Sequence, residues 1–419
     1  MNTTASPTRG VFRGADVQSS YLKSLYFFIF ISSGFMTPFS AVFFKHALVH
    51  PDGTPANDLI GWIYFFMPLV GIAANIPAGI MADKLQLGRH LITFFCFAVA
   101  IFTLLTGMSG DCFTNDWPLE TKFAWMFAAV MAYYMFSMPI VPTVDGETMT
   151  HLNRIGQHDD YGKIRVFGTF GWSVACIIMG LILHVDYHLP IIYYASSVAF
   201  LVLGIVSLRG LNFKKKSPLA HIPWDHLKKD RLFVLFLGFS LISGILWSAS
   251  FLYTSYFFDD VLDSPFEMGL VFGTWTVFEV PVMLFSRQLI QKLGNRWLII
   301  FGLLLNGIRL VLFSLFTIDT PFMWKWAAAS LQGAGFGMLH LGTIDFIDRR
   351  SHEHMKSTYM NLASLVRFTL ASAVAGKMGA WIITTYGAEH LMMVTGVGSL
   401  ILIFFFATFV KGNGPGQGR

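Results

Sequence analysis

Charge is scarce in this chain: of 419 residues only 13% are Asp, Glu, Lys or Arg, against 54% hydrophobic. A soluble domain carries about 25% charged residues, so there is too little charge here to solvate a globular surface of this size. Cysteine is sparser still, with Cys96, Cys112 and Cys176 the only three. Cys96 and Cys176 fall inside apolar runs and Cys112 stands alone between two of them, which excludes an extracellular disulfide framework. Enzyme signatures are missing as well. There is no His-Glu-x-x-His, no Gly-x-Ser-x-Gly and no Gly-Lys-Ser/Thr phosphate loop. The one metal-like cluster, His352, Glu353 and His354, lies in a short basic segment and reads as a solvated loop. Neither an enzyme nor a metal or other cofactor is expected.

What the chain does have is apolar length. Twelve runs reach spanning size: 22–44, 59–82, 91–109, 123–144, 164–184, 190–208, 232–257, 267–286, 297–317, 323–346, 358–383 and 390–410. Crossing a hydrocarbon core of roughly 30 Å takes about 20 apolar residues, so the expectation is an all-α membrane protein with twelve transmembrane helices. Residues 1–20 are polar and the first run is long enough to stay as a helix, unlike a cleaved signal peptide. Basic residues resist translocation and set the orientation. With both termini cytoplasmic, the inner segments hold Arg9, Arg13, Lys84, Arg89, Arg154, Lys163, Arg209, Lys228, Arg287, Lys292, Arg349, Arg350 and Lys411 among others, whereas the outer loops hold only Lys45, Lys122 and Lys325. The net charge of +5 therefore reports topology and not nucleic-acid binding. The run Lys214, Lys215, Lys216 reads as a stop-transfer signal in contact with anionic lipid. Short loops and minimal termini point to a bacterial inner membrane.

Residues 209–231 are basic and contain Pro218 and Pro223, as a linker would. They divide the chain into an N-terminal bundle, 1–208, and a C-terminal bundle, 232–419, of six helices each. The halves echo one another: a short basic turn with Lys84, Gly88 and Arg89 follows the second span, and one with Lys292, Gly294 and Arg296 follows the eighth. Duplicated six-helix units around a central cavity are a common build of secondary transporters.

Three charges lie deep inside the spans. At 1.5 Å per residue, Glu279 is about 18 Å from the outer end of its span, Arg309 about 18 Å and Arg367 about 14 Å from the inner ends of theirs. An unpaired charge at that depth costs about 2.5–3.5 kcal/mol on insertion scales, so such residues face a cavity or one another. One acid and two bases at one depth predict a paired network with a residual positive charge. Trp275, four residues before Glu279, shares its helical face and is a candidate ring-stacking residue.

Gly79, Asp83, Lys84, Gly88 and Arg89 resemble the loop between the second and third helices of the major facilitator superfamily, with two extra residues before Gly88. The resemblance implies that fold, and a gating loop in which an acid at a helix end and bases in a tight turn pin neighbouring helices in one state. A closer resemblance, along most of the chain, is to the lactose permease group of oligosaccharide, nucleoside and phenylpropionate proton symporters. It rests on Ser33 to Phe39 of the first span, on Tyr161 to Trp172, and on Pro142 to Asp145. It implies that Arg165 binds substrate hydroxyls, that Trp172 stacks on a ring, and that Asp145, with Glu147 as its rival, holds Arg165 and contacts substrate. It also implies that the fifth helix starts near Asp159, earlier than hydropathy places it. In the second half, Glu279 matches an acid that binds substrate and links it to proton transfer, Arg309 a base that keeps the coupling acid ionisable, and His340 a substrate contact.

Two departures bear on mechanism. Thr343 stands three residues after His340, where the group has its main proton-releasing Glu. The seventh span, around Ile245 to Phe251, is uncharged where the group has acids. Proton coupling then falls to Glu279 or Asp145. Arg367, at the place of a structural Lys, loses its partner and is freed to meet an anionic substrate. Asp345, four residues before Arg349, is expected to pair with it.

The resulting expectation is a monomeric secondary transporter that imports a small polar organic solute, a sugar or nucleoside, with protons by alternating access. Its partners would be the solute, protons and the lipid bilayer. The alternatives are a uniporter, an exporter of amphipathic or lipid-like compounds, for which 43 Phe and 20 Met supply adaptable surface, and a non-transporting receptor on a transporter fold.

Overall fold

A chain this apolar can satisfy its backbone N–H and C=O groups in hydrocarbon only within helices or a closed barrel, and helices are what it forms. The computed structural model describes residues 8–85, 88–112, 117–157, 161–208, 230–351 and 356–410. Among them every regular element is helical, and the β-pairing is limited to an isolated bridge between Val49 and Pro55. The first group comprises α1 (Thr8–Met36), α2 (Ser40–Ala47), α3 (Asn57–Leu85), α4 (Gly88–Cys112), α5 (Leu119–Ser137), α6 (Ile140–Ile155), α7 (Tyr161–Val185) and α8 (Ile191–Ser207). The second comprises α9 (Arg231–Val261), α10 (Pro265–Trp275), α11 (Glu279–Leu284), α12 (Ser286–Ser314), α13 (Phe322–Arg350), α14 (Lys356–Ser364), α15 (Ala371–Tyr386) and α16 (Ala388–Phe405).

Nine helical stretches among the described residues are long and apolar enough to cross a membrane, and the apolar α8 is shorter. The helix α13 and the rod formed by α14 and α15 are not among the nine. The physical reason is composition: Gln332, His340 and a run of glycines dilute the first, Arg367 and Lys377 the second. Prolines and short irregular turns break the rods where the chain must bend. Pro38 sits in a 3₁₀ turn, Thr37–Phe39, between α1 and α2; another, Thr276–Phe278, separates α10 from α11; and a π-turn, Leu365–Leu370, joins α14 to α15.

Helix boundaries differ from hydropathy at one decisive place. The fourth apolar run was expected to end at 144, but after a break at Met138 and Pro139 the chain continues as α6 to Ile155. The fifth was expected from 164, but α7 begins at Tyr161. Asp145 and Arg165 therefore sit within helices and not at their ends. Of the expected gating loop, Gly79, Asp83 and Lys84 fall on α3 and Gly88 and Arg89 on α4. Its turn residues 86–87 and the side chains of Asp83, Lys84 and Arg89 lie outside the described residues, as do the expected linker through residue 229 and the His352, Glu353, His354 cluster.

The two groups meet along close seams. On one, α7 lies against α10 through facing glycines: a Cβ on Gly269 would stand 2.5 Å from the Cys176 carbonyl oxygen, and one on Gly180 2.7 Å from that of Pro265. On the other, α3 lies against α15, where Lys377 Nζ donates to the Asp58 carbonyl at 2.9 Å. A charged cluster closes the same end of the bundle. Lys45 on α2 reaches Asp259 at 2.9 Å and Asp260 at 2.5 Å on α9, and His46 lies 3.0 Å from Asp259. At the opposite end, Asp345 pairs with Arg349 at 2.7 Å, as their spacing predicts, and Arg350 pairs with Asp230 at 2.7 Å, both within the second group.

Candidate functional site

The first wall of the site is built by α1, α6 and α7. Asp145 accepts hydrogen bonds from the hydroxyls of Tyr26 at 2.5 Å and Tyr161 at 3.0 Å. The expectation that Asp145 holds Arg165 is thus corrected, since two phenols take that place. The Arg165 guanidinium instead lies 4.1 Å from the Phe30 ring centroid and 5.4 Å from that of Tyr26, a cation–π seating. Gly168, one turn on, makes the room: a Cβ there would stand 2.7 Å from Arg165 Nη1. One further turn along α7, Trp172 Nε1 donates to the Phe272 carbonyl at 3.2 Å, and Ser173 Oγ meets Thr276 Oγ1 at 3.0 Å. Trp172 is therefore a strut between the two groups as well as a half-buried wall residue.

The opposite wall is built by α9, α10, α11 and α13. Gly333 on α13 lets the backbone from Trp275 to Glu279 press against it, since a Cβ there would collide with the Trp275 carbonyl. This contact seats Glu279 at the first position of α11, its Cγ 3.5 Å from a Cβ built on Gly337. Glu279 is half-buried and has neither an ion pair nor a hydrogen bond among the described residues. Trp275 is 4% exposed and covered by Phe251 and Phe272, which corrects its expected role as an open stacking surface.

The expected paired network of Glu279, Arg309 and Arg367 is not formed. Arg309, 1% exposed, donates to Asn306 Oδ1 at 3.0 Å and lies over Phe313, while Asn306 bonds Ser399 at 3.2 Å. Arg367, 3% exposed, donates to Thr343 Oγ1 at 3.0 Å. Neither guanidinium has a carboxylate partner among the described residues. His340 stacks on Phe336 at 5.5 Å, which stacks on Trp247 at 5.4 Å, which stacks on Phe251 at 4.9 Å. This ladder of rings was not anticipated; Trp247 and Phe336 sit one helical turn from Phe251 and His340, an i, i+4 aromatic spacing that is visible in the sequence.

Tyr26 tests the first wall. A hydrogen bond to a charged group is worth about 1.5–3 kcal/mol, and phenylalanine keeps the ring against Arg165. Tyr26→Phe is expected to lower the melting midpoint measurably with the helical content unchanged; an unaltered midpoint would show that the hydroxyl contributes nothing to Asp145.

A membrane-embedded helical bundle with two facing walls, charged at its centre and closed at one end, has the architecture of a solute carrier. The family model described as MFS_1 like family matches residues 20–394, and the chain belongs to that family of transporters. It is 24% identical over 388 residues to an uncharacterized transporter, YwbF, of Bacillus subtilis, covering 91% of this chain and 89% of that one. It is 24% identical over 402 residues to the maltose permease of Geobacillus stearothermophilus, covering 95% and 93%. Among solved structures, a mutant of the nucleoside transporter NupG superposes with a TM-score of 0.80 at 15% identity, over 94% of this chain and all of the other. The family and these relatives are transporters and not enzymes, and the integral membrane character expected from hydropathy follows from both.

Proposed function

We propose that this protein is a secondary active transporter that carries a small polar organic solute, a sugar or nucleoside, together with protons by alternating access. In this reading the chain crosses a bacterial inner membrane twelve times with both termini cytoplasmic. A bundle of residues 1–208 and one of 232–419, joined by 209–231, rock about the site as a monomer. Asp145, Arg165, Trp172, Glu279 and His340 contact solute, Arg309 and Arg367 set the charge balance, and Gly79, Asp83, Lys84, Gly88 and Arg89 gate the inner side. The seams at Gly269 and Lys45 then belong to the closed outer half, and the state described is open toward the cytoplasm.

The observation that carries the reading is Glu279, a half-buried carboxyl with neither an ion pair nor a hydrogen bond among the described residues. A solute that enters between the two walls changes the solvation of that carboxyl, and with it the balance between its protonated and charged forms. The maltose permease and nucleoside transporter likenesses support a hydroxyl-rich solute. The test is proton movement into vesicles holding the purified protein when sugars and nucleosides are added outside. External alkalinisation with one class supports symport; solute flux without it makes the protein a uniporter; binding without flux makes it a receptor.

A further inference from the structure

Three buried N–H donors without an acceptor lie on two residues that both neighbour Phe368. Arg367 Nε and Nη2 are buried without a hydrogen bond, its Nη1 being engaged by Thr343, and Trp247 Nε1 is buried and unbonded as well. The Arg367 guanidinium lies 5.2 Å from the Phe368 centroid, the Trp247 ring meets the same ring edge-on at 6.2 Å, and His340 lies 6.3 Å from it. Buried polar groups in native proteins are almost always bonded, so orphans gathered in one place indicate a missing partner. Here every orphan is a donor. A guanidinium has five N–H donors and no acceptor, and the partner matching its fork is a planar oxyanion.

The backbone is shaped to this end. The π-turn Leu365–Leu370 is centred on Arg367, and single π-turns within helices are frequent at functional sites. Gly244, three residues before Trp247, lets α9 lie directly against the carbonyl of Arg367, which fixes the two donor-bearing residues relative to each other.

We propose that the transported solute bears a carboxylate, and that Arg367, with Trp247 beside it and Thr343 holding the guanidinium, binds that carboxylate at the second wall. This deepens the transporter reading above and rests on it. The body of the solute, a sugar acid or a ring acid, lies along the Trp247, Phe336 and His340 ladder.

The test uses the full-length protein in detergent, melted in the presence of matched pairs, glucose and glucuronate, benzyl alcohol and benzoate, with chloride alone as a further probe. In at least one pair the acid is expected to bind roughly thirtyfold or more tightly than its neutral partner. Arg367→Gln is expected to abolish that preference while the neutral partner still binds, and Arg367→Lys to restore part of it. Thr343→Glu places a carboxyl against Arg367; it is expected to remove the acid preference while the protein still melts cooperatively, separating loss of ligand from loss of fold. Equal binding within every pair, or a preference that survives both Arg367→Gln and Thr343→Glu, overturns the proposal. Protection by chloride alone assigns the donors to an inorganic counter-ion and also overturns it. Proton movement driven by neutral sugars or nucleosides and intact in Arg367→Gln sinks this proposal while the transporter reading stands. Silence of every neutral and acidic compound, in binding and in flux, sinks both.

Discussion

Vesicles that contain the Glu279→Gln protein are expected to equilibrate solute but not to concentrate it. A gradient of one pH unit is worth about 1.4 kcal/mol per proton, so a carrier moving one proton with each solute concentrates it about tenfold per unit. Glutamine keeps the shape of the side chain and its contact with Gly337, but it cannot take up and release a proton. The accumulation ratio should therefore fall from about ten to about one under that gradient, while exchange of labelled for unlabelled solute at equal pH persists. Exchange separates coupling from binding, because it needs the walls to rock but needs no net proton movement. Accumulation that survives the substitution would move the coupling role to Asp145, whose two phenol partners make it the better shielded of the two acids.

Gly269→Trp is expected to stop net transport by removing one of the states the carrier must visit. A single Cβ at this position already stands 2.5 Å from the Cys176 carbonyl, and Gly180 faces it with equal closeness. Overpacking by methylenes costs about 1–3 kcal/mol, and an indole at a backbone-to-backbone seam exceeds that range. Shifting a two-state equilibrium from 99:1 to 1:99 takes about 5.5 kcal/mol, which a clash of this kind supplies. Cys176 is the built-in reporter: it is buried at the seam, whereas Cys112 is exposed and Cys96 is buried elsewhere. After Cys112 is blocked, maleimide should label Cys176 in Gly269→Trp at least about tenfold faster than in the parent, the seam being held apart. Unchanged labelling together with unchanged turnover would show that the seam does not open during transport.

Several features of this arrangement are legible in the sequence, and the limits are physical. Helix-length apolar runs announce the all-helical membrane fold, because a 30 Å core demands length. Burial is legible in part: counting residues set Glu279, Arg309 and Arg367 far from the span ends, and Arg309 and Arg367 are buried while Glu279 is half-buried. Counting does not give azimuth, however. Arg309, counted to the same depth as Glu279, turns toward Asn306 and Phe313 within its own group, so equal counting did not imply a pair. Hydropathy misplaced the ends near Asp145 and Arg165 because charged residues dilute the window there even though the helices continue; the start near Asp159 implied by the likeness of the Tyr161 to Trp172 segment lies outside the described residues. Tyr26 was not legible at all. It meets Asp145 across 119 positions of chain, and no local period encodes such a contact. The aromatic spacing of Trp247 with Phe251, and of Phe336 with His340, was present and unread, because rings at i, i+4 occur in any apolar helix.

The two long helical rods that are more polar than their neighbours bear on how the protein is made. During synthesis each segment partitions between translocon and lipid by its own composition, and a central Arg, Lys or Asp is charged about 2.5–3.5 kcal/mol against entry. The rod that carries Arg367 and Lys377 meets that barrier alone unless its neighbours are already in the bilayer to shelter it. The helix after it, α16, is strongly apolar and follows within two residues. Its arrival would hold the polar rod in place as the second member of a hairpin. Removing the chain from residue 388 onward should then leave residues 356–386 outside the membrane, a defect of biogenesis that no measurement on the finished carrier would reveal.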